Sequence, residues 1–299
     1  MTAAHPRPVS HLNRSPGPDA LSASTSRTRP HSHAHPHQAP GPIARSHRHL
    51  HPHLHSDSHP RRVAFFDVDH TLATVTTPVV FWEYWSTAAR TAPLAAGRVL
   101  PPAAGVSREE RNRAYYRLFA GVPAAELARA GARWYGGFRA TAQPFLPAPL
   151  AALRAHRAAG DLIVLVSGAP RACLLPLARD LGAGLVLACE QLTDGRGRFT
   201  GEIARPVIGA AKADAAAEVM ARHGADPADC HAYGDHGSDL PLLELCGHPT
   251  VVGDDPVPTA RAARSGWGRL PGVEGLPGAE RLHGPQRLRR GIRGLRIGK

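Results

Sequence analysis

The ten residues VAFFDVDHTL, at positions 63–72, are the most informative stretch of this 299-residue chain. The apolar run VAFF is too short for a helix and is bounded by charge, so it predicts a buried β-strand. Two acids, Asp67 and Asp69, follow it directly. If the chain turns there, both carboxylates can face one crevice. The D-x-D-x-T pattern also fits an ordinary polar loop that caps the next helix, so it needs support from elsewhere.

The chain after Pro147 alternates between short apolar runs and helical patterns. The expected strands are LIVLVS (162–167), GLVLAC (184–189), CHAYGD (230–235) and TVVGD (250–254), and the expected helices are 148–158, 170–181, 210–223 and 238–245. DGRGRFTG (194–201) fits a hairpin turn. Residues 74–143 instead place aromatic and aliphatic side chains at helical spacing and predict an insertion of roughly four helices. This order predicts an α/β fold with a parallel sheet and helices on both faces.

The two ends of the chain differ from its body in charge. The formal net charge of +12 divides into +6 in residues 1–62, +7 in residues 281–299 and −1 in the interval between. Residues 1–61 are rich in His, Pro and Arg, which predicts a disordered arm with incidental affinity for transition metals. Residues 281–299 predict a basic, disordered tail. The neutral body gives no reason to expect specific binding of nucleic acid.

The compartment is predicted from the cysteines and from the hydropathy pattern. The four cysteines form no CxxC pair and fit no disulfide framework, which indicates buried thiols in a reducing environment. No run of 18 apolar residues predicts a transmembrane helix, and the first ten residues lack the apolar segment of a secretory signal. We therefore expect a cytoplasmic protein.

Further polar residues lie at the ends of expected strands or at the starts of helices. Ser167 and Gly168 end LIVLVS, Lys212 lies near a helix start, and Asp235 and Asp239 follow CHAYG. Each has an ordinary explanation as a turn residue, a solvated charge or a helix-start acid. In doubly wound sheets, however, ligands bind at the carboxyl ends of the strands. Together these residues supply the groups that phosphoryl transfer needs: a nucleophile, a proton shuttle, acids for Mg²⁺ and positive charge.

The order of these motifs resembles the haloacid dehalogenase-like hydrolase superfamily, and more narrowly its subfamily IB, the phosphoserine-phosphatase-like branch. The matching segments are FFDVDHTL (65–72), VLVSGAP (164–170), Lys212 and YGDHGSDLPLL (233–243). The resemblance implies a Rossmannoid three-layer core with an inserted helical cap of the C1 type. The core would comprise residues 62–73 and 144–280, and the cap residues 74–143.

The resemblance also implies a role for each site residue. Asp67 would be the nucleophile that forms an aspartyl-phosphate, and Asp69 would be the general acid and base. Mg²⁺ would be held by Asp67, the backbone carbonyl of Asp69 and Asp235, with Asp239 supporting the site.

Ser167, Gly168 and Lys212 would bind the transferring phosphoryl group, and Lys212 would also keep the nucleophile ionised. The expected substrate is a small phosphorylated metabolite. A phosphotransferase with the same intermediate is the alternative within this class. A non-catalytic protein that binds metals or polyanions through its ends is the alternative outside it.

Two positions depart from the phosphoserine-phosphatase pattern. Those enzymes have a glutamate nine residues after the nucleophile, which engages the substrate amine, whereas this chain has Thr76 there. This difference argues against L-phosphoserine as the substrate. His70 stands where a small residue is commoner and is expected to be a tolerated loop residue. The cap arginines Arg111, Arg113, Arg117, Arg133 and Arg139 are expected mainly on a solvated helix face, and the alternative for some of them is binding of an anionic or cyclic substrate.

Overall fold

The computed structural model of the chain describes residues 62–88 and 105–277. The expected arm and the expected basic tail lie outside these residues, as do residues 89–104 of the expected helical insertion and the last residues of the expected core. No helix among the described residues is long and apolar enough to cross a membrane.

A six-stranded parallel sheet forms the centre of the described residues. Its strands, in chain order, are β1 (Val63–Phe66), β2 (Leu162–Ser167), β3 (Leu185–Ala188), β6 (His231–Gly234), β7 (His248–Val252) and β8 (Gly268–Leu270). They are arranged in the order β3-β2-β1-β6-β7-β8. Two further strands, β4 (Glu190–Thr193) and β5 (Phe199–Arg205), form the antiparallel hairpin expected around residues 194–201. The sequence analysis did not anticipate β8.

The first strand occupies a central position in this sheet. Every residue of VAFF is fully buried, as a strand covered on both faces requires. Phe66 pairs in register with Leu165 of β2 and with Tyr233 of β6, and its ring stacks on that of Tyr233 at a centroid distance of 4.2 Å. The backbone N–H of Asp67 donates to the Tyr233 carbonyl at 2.9 Å. The carboxyl end of β1 is therefore fixed between two neighbouring strands.

Helices flank the sheet and agree closely with the predicted segments. They are α1 (Thr77–Ala88), α2 (Arg108–Arg117), α3 (Ala124–Arg139), α4 (Pro147–Ala158), α5 (Arg171–Leu181), α6 (Ala210–His223), α7 (Leu240–Leu245) and α8 (Pro256–Ser265). A 3₁₀ turn, Gly237–Asp239, precedes α7, so the helix expected from residue 238 begins slightly later. The sequence analysis did not anticipate α8.

The helical insertion is held together by aromatic side chains. Among its described residues are α1, α2 and α3, in agreement with the helical character expected for residues 74–143. The ring of Phe119 contacts Trp82 and Trp85 of α1 at centroid distances of 5.5 and 6.3 Å. Both tryptophans are buried, so they belong to the core of the insertion.

Helix α3 packs closely against α5 at Gly131. A Cβ atom at this position would fall inside the backbone carbonyl group of Ala172. Gly136, in the same helix, has no atom within 4 Å of the corresponding position. Only the first glycine is therefore required by packing.

The two glycines predict opposite effects of alanine on stability. Gly131→Ala forces α3 away from α5 and is expected to lower the free energy of unfolding by about 1–3 kcal/mol. Gly136→Ala should raise it by up to about 1 kcal/mol, because alanine favours helix more than glycine does. Urea unfolding of both variants measures the difference. Equal effects would mean that the close contact at Gly131 does not exist in solution.

Candidate active site

The carboxyl ends of three adjacent strands bring the expected site residues together. Asp67 follows β1, Ser167 ends β2 and Asp235 follows β6. In a parallel sheet these ends lie at one edge, so residues far apart in the chain become neighbours. Asp67 and Ser167 are buried and Asp235 is partly buried.

Lys212 lies at the centre of this group. Its Nζ atom is 2.5 Å from Asp67 Oδ1 and 2.6 Å from Asp239 Oδ1, and all three side chains are buried. A solvated charge, the alternative explanation of this lysine, is therefore wrong. Burial lowers the pKa of Lys212, but the carboxylates of Asp239 and Asp67 more than compensate and hold the pKa above its ordinary value. The ammonium group is thus charged whenever both acids are ionised.

Asp67, Asp235 and Asp239 form a compact acidic group. One carboxylate oxygen of each lies within 4.8 Å of the others. Burial, followed by the charges of Asp67 and Asp239, raises the pKa of Asp235 to about 9. The Thr71 hydroxyl lies 3.0 Å from Asp235 Oδ1 and 3.3 Å from Asp67 Oδ2 and can donate to either. Repulsion among buried carboxylates and the all-oxygen donor set fit a divalent cation such as Mg²⁺.

Asp69 is held apart from this acidic group. Its Oδ1 atom accepts hydrogen bonds from the Thr77 hydroxyl at 2.6 Å and the Thr77 backbone N–H at 2.9 Å, at the start of α1. Burial, followed by the charge of Asp67, raises the pKa of Asp69 to about 6. A carboxyl group with this pKa can both give and take a proton near neutral pH.

The loop Ser167–Gly168 is held by helix α2. The Gly168 carbonyl accepts hydrogen bonds from Asn112 Nδ2 and from the Tyr116 hydroxyl, each at 2.9 Å. The Cys189 thiol donates to Asn112 Oδ1 at 3.2 Å, which orients the amide. The Ala169 N–H donates to Ser167 Oγ at 3.1 Å, and this leaves the serine O–H available as a donor.

These residues surround a cleft of about 250 Å³. Its lining includes Asp67, Asp69, Ser167, Gly168 and Lys212 together with residues of the helical insertion: Thr76, Pro78, Val79, Arg108, Arg111, Asn112 and Tyr115. Asp235 lies beyond this lining, beside Asp67. The structure therefore brings all seven sequence-predicted site residues into one region.

The sequence analysis missed several residues that shape the cleft. Thr77, Asn112 and Tyr116 hold the expected site residues but belong to no recognised motif. Of the cap arginines, most of which were expected on a solvated face, Arg111 lines the cleft, whereas Arg113 and Arg117 pair with Glu109 and Glu202. The sequence did contain a signal for the cleft-lining residues of α2, because positions 108, 111, 112 and 115 have the spacing of one helix face.

His70 has an unusual backbone conformation for its residue type. Its φ of +61° is left-handed, which non-glycine residues rarely adopt. Its Nε2 atom lies 2.8 Å from the Thr76 hydroxyl. The two positions that depart from the phosphoserine-phosphatase pattern therefore contact each other.

The bond from Tyr116 to the loop predicts a measurable loss of stability. Tyr116→Phe removes one of two donors to Gly168 and should lower the free energy of unfolding by about 1 kcal/mol. Tyr84→Phe is the matched control, because Tyr84 is a partly buried tyrosine of α1 and is not one of the two donors to Gly168. Thermal unfolding of both variants at one pH tests the difference. An equal loss of stability in the control would mean that the effect comes from removing any tyrosine hydroxyl and not from the bond to Gly168.

Solved structures share this architecture. A Bordetella pertussis protein of unknown function has a TM-score of 0.63 and 24% identity, over 71% of this chain and 99% of that one. A substrate-bound phosphoserine phosphatase has a TM-score of 0.51 and 16% identity, over 67% and 90%. At these identities the similarity establishes the fold.

Curated relatives match a shorter stretch. A Mycobacterium tuberculosis protein named "Probable phosphatase Rv3661" is 36% identical over 115 residues, which are 38% of this chain and 40% of that protein. "Phosphoserine phosphatase SerB1" of the same organism is 31% identical over 115 residues, 38% and 36% of the two chains. The matched stretch therefore spans about two fifths of these relatives.

The family profile of the haloacid dehalogenase-like hydrolases covers much more of the chain, since it matches residues 64–244. This interval runs from β1 through α7 and contains each of the seven expected site residues. With the parallel sheet and the acidic cleft at its carboxyl edge, the match shows that the chain belongs to the haloacid dehalogenase-like hydrolase family.

Proposed function

We propose that the protein is a Mg²⁺-dependent phosphatase that hydrolyses a small phosphomonoester through an aspartyl-phosphate on Asp67. The observation that carries this proposal is the buried contact of Asp67 with Lys212 in a cleft that Ser167 and Gly168 also line. Burial raises the pKa of Asp67, and the adjacent Lys212 ammonium opposes this rise. A carboxylate beside such a charge and beside hydrogen-bond donors for a phosphoryl group is suited to nucleophilic attack on phosphorus.

The reaction would have two steps. In the first, an oxygen of Asp67 attacks phosphorus, and the bond to the leaving oxygen breaks while Asp69 gives that oxygen a proton. In the second, Asp69 takes a proton from water, the resulting hydroxyl oxygen attacks the phosphoryl group, and Asp67 is regenerated with release of phosphate. The bonds from Thr77 to Asp69 Oδ1 leave the other carboxyl oxygen without a hydrogen bond to a described residue, available for this proton.

The phosphoryl group would be bound by this chain's own donors. Ser167 supplies its hydroxyl, Gly168 its N–H and Lys212 its ammonium. The bonds from α2 to the Gly168 carbonyl fix the orientation of this loop before substrate binds, so little reorganisation would be needed during the reaction.

Asp67, Asp235 and the backbone carbonyl of Asp69 would hold Mg²⁺, with Asp239 in support. The bound ion would neutralise charge on the transferring group and on the acids around it. Asp239 also accepts the His236 N–H at 3.1 Å and shares Lys212 with the nucleophile, so its support would be to fix the lysine.

We further propose that residues 74–143 act as a cap that selects the substrate, with residues 62–73 and 144–280 as the catalytic core. Helix α2 of the proposed cap lines the cleft and also contacts the loop of Ser167 and Gly168. An element that selects the substrate should make both contacts. Four free, buried cysteines support a cytoplasmic location.

The first test of the function is phosphate release from p-nitrophenyl phosphate. Wild-type protein with Mg²⁺ should turn over this ester. EDTA should reduce the rate by at least about a thousandfold because it removes the proposed cation, and Asp67→Asn should do so because no nucleophile remains. Asp214→Asn, an exposed acid of α6, is the matched control and should keep the rate. Turnover retained by Asp67→Asn would reject the aspartyl-phosphate mechanism.

Adding an acceptor alcohol distinguishes hydrolysis from transfer. A phosphatase releases phosphate as its main product at low alcohol concentration, whereas a phosphotransferase forms the alkyl phosphate. ³¹P NMR of the products separates the two. Metal or polyanion binding without turnover, lost on deletion of residues 1–60 and 281–299, would instead favour a binding protein.

Mg²⁺ should also stabilise the protein in the absence of substrate. Binding to the native acidic group at 100 times the dissociation constant contributes about 2.7 kcal/mol, so the melting temperature should rise with MgCl₂. Asp235→Asn removes a proposed ligand and should abolish this rise, whereas Asp214→Asn should retain it. If MgCl₂ raises the melting temperature of Asp235→Asn as much as that of wild type, the metal binds at another site.

A further inference from the structure

We propose that a row of three histidines at the amino edge of the sheet forms an acid-sensitive switch, which keeps this edge closed while the central ring is neutral and opens it when that ring gains a proton. The three are His156 of α4, His231 of β6 and His248 of β7. Asp67 and Asp235 follow the carboxyl ends of their strands, at the other edge of the sheet. The proposal therefore goes beyond the proposed function and does not depend on it.

The three imidazole rings form a row from the helix to the sheet. The rings of His156 and His231 have a centroid distance of 4.3 Å, and those of His231 and His248 lie 4.5 Å apart and nearly parallel. His231 and His248 are the first residues of their strands and pair in register, so both side chains lie on the same face of the sheet. The central ring therefore contacts one histidine on each side.

The carboxylate of Asp161, which contacts this row, is engaged through both of its oxygens. Asp161 Oδ2 lies 2.7 Å from His156 Nδ1, and Asp161 Oδ1 accepts a hydrogen bond from Arg62 Nε at 3.0 Å. Neither His231 nor His248 forms an ion pair within the described part of the chain. A proton on the central ring would therefore lack a carboxylate of its own.

The other charged groups around the row do not supply one. Asp226 and Asp229 cap and end the 3₁₀ turn that precedes β6, and both are exposed. Glu244 of α7 pairs with Arg261 of α8 at 2.9 Å. Among the described residues, none of these three acids forms an ion pair with the row. The remaining titratable groups nearby are uncharged at neutral pH: the thiols of Cys230 and Cys246 and the phenol of Tyr233.

Burial and the two neighbouring rings act on the central ring in the same direction. Burial, followed by the charges of His156 and His248, lowers the pKa of His231 from its ordinary value of 6.5 to about 4. A cavity of about 650 Å³ lies beside the row, and its lining includes His231, His248, Cys246 and Trp267. The rings therefore have room to separate. Opening of the edge lets water reach His231 and restores its ordinary affinity for a proton.

The lowered pKa gives the sign of the pH dependence. Above pH 6.5 the ring of His231 is neutral in both the closed and the open state, so a change of pH does not favour either. As the pH falls from 6.5 to 4, the open state binds a proton that the closed state does not. The equilibrium constant for opening therefore rises by up to about tenfold for each pH unit in this interval.

Hydrogen exchange of the full-length protein at pH 7 and at pH 5 tests the switch. The backbone N–H groups of Gly247 and His248 report on the edge, because they donate to the carbonyls of Pro227 and Cys230 at 2.8 and 3.0 Å. After correction for the intrinsic effect of pH on exchange, their protection should fall by at least about tenfold at pH 5. The Asp67 N–H, which is bonded to β6 at the other edge, should keep its protection.

Three variants assign the effect to the row. His231→Gln removes the titrating ring and should abolish the difference between the two pH values. His248→Gln removes one neighbouring ring and should reduce the difference, and it replaces the first variant if His231→Gln does not fold. His223→Gln, in the last turn of α6 and outside the row, is the matched control and should retain the difference.

Unchanged protection of Gly247 and His248 in wild type at pH 5 would overturn the switch. An equal loss of protection at Asp67 would also overturn it, because the whole chain would then be unfolding. The same loss in His231→Gln as in wild type would assign the acid sensitivity to other groups and would reject the role of this row.

Discussion

The contact of Lys212 with Asp67 and Asp239 is the interaction on which the rest of the site depends. Three carboxylates lie together at the carboxyl edge of a buried sheet, and without compensation their repulsion would oppose folding. One ammonium between two of them reduces this cost and leaves Asp235 with its pKa raised to about 9. The geometry that stabilises the folded site is therefore the same geometry that would prepare the proposed nucleophile and the proposed cation site.

In the proposed function, helix α2 would link substrate selection to the loop of Ser167 and Gly168. Asn112 and Tyr116 hold the Gly168 carbonyl, while Arg108 and Tyr115 line the cleft. Because these side chains belong to a helix of ten residues, a movement of α2 would change both contacts together. Placement of the phosphoryl group and recognition of its ester would then depend on one rigid element.

The similar solved structures separate what the fold provides from what this chain adds. Their likeness at 24% identity or below reflects the sheet and its edge, which can support many reactions. In the proposed function, specificity would instead depend on side chains of the inserted helices, such as Arg108 and Arg111, which line the cleft. The substrate class therefore has to be argued from these residues.

The sequence by itself determined the parallel sheet, the chain order of most of its elements and the polar residues that the structure brings together at its carboxyl edge. Short apolar runs ending in acids, serine or glycine are local signals, and most predicted segments agree with the structure within a residue or two. The tertiary structure decided which side chains meet. That Thr77 holds Asp69, that α2 holds Gly168, and that Tyr115 lines the cleft all depend on how the inserted helices pack. Contacts between residues distant in sequence leave no local pattern, because they arise from packing and not from spacing along the chain.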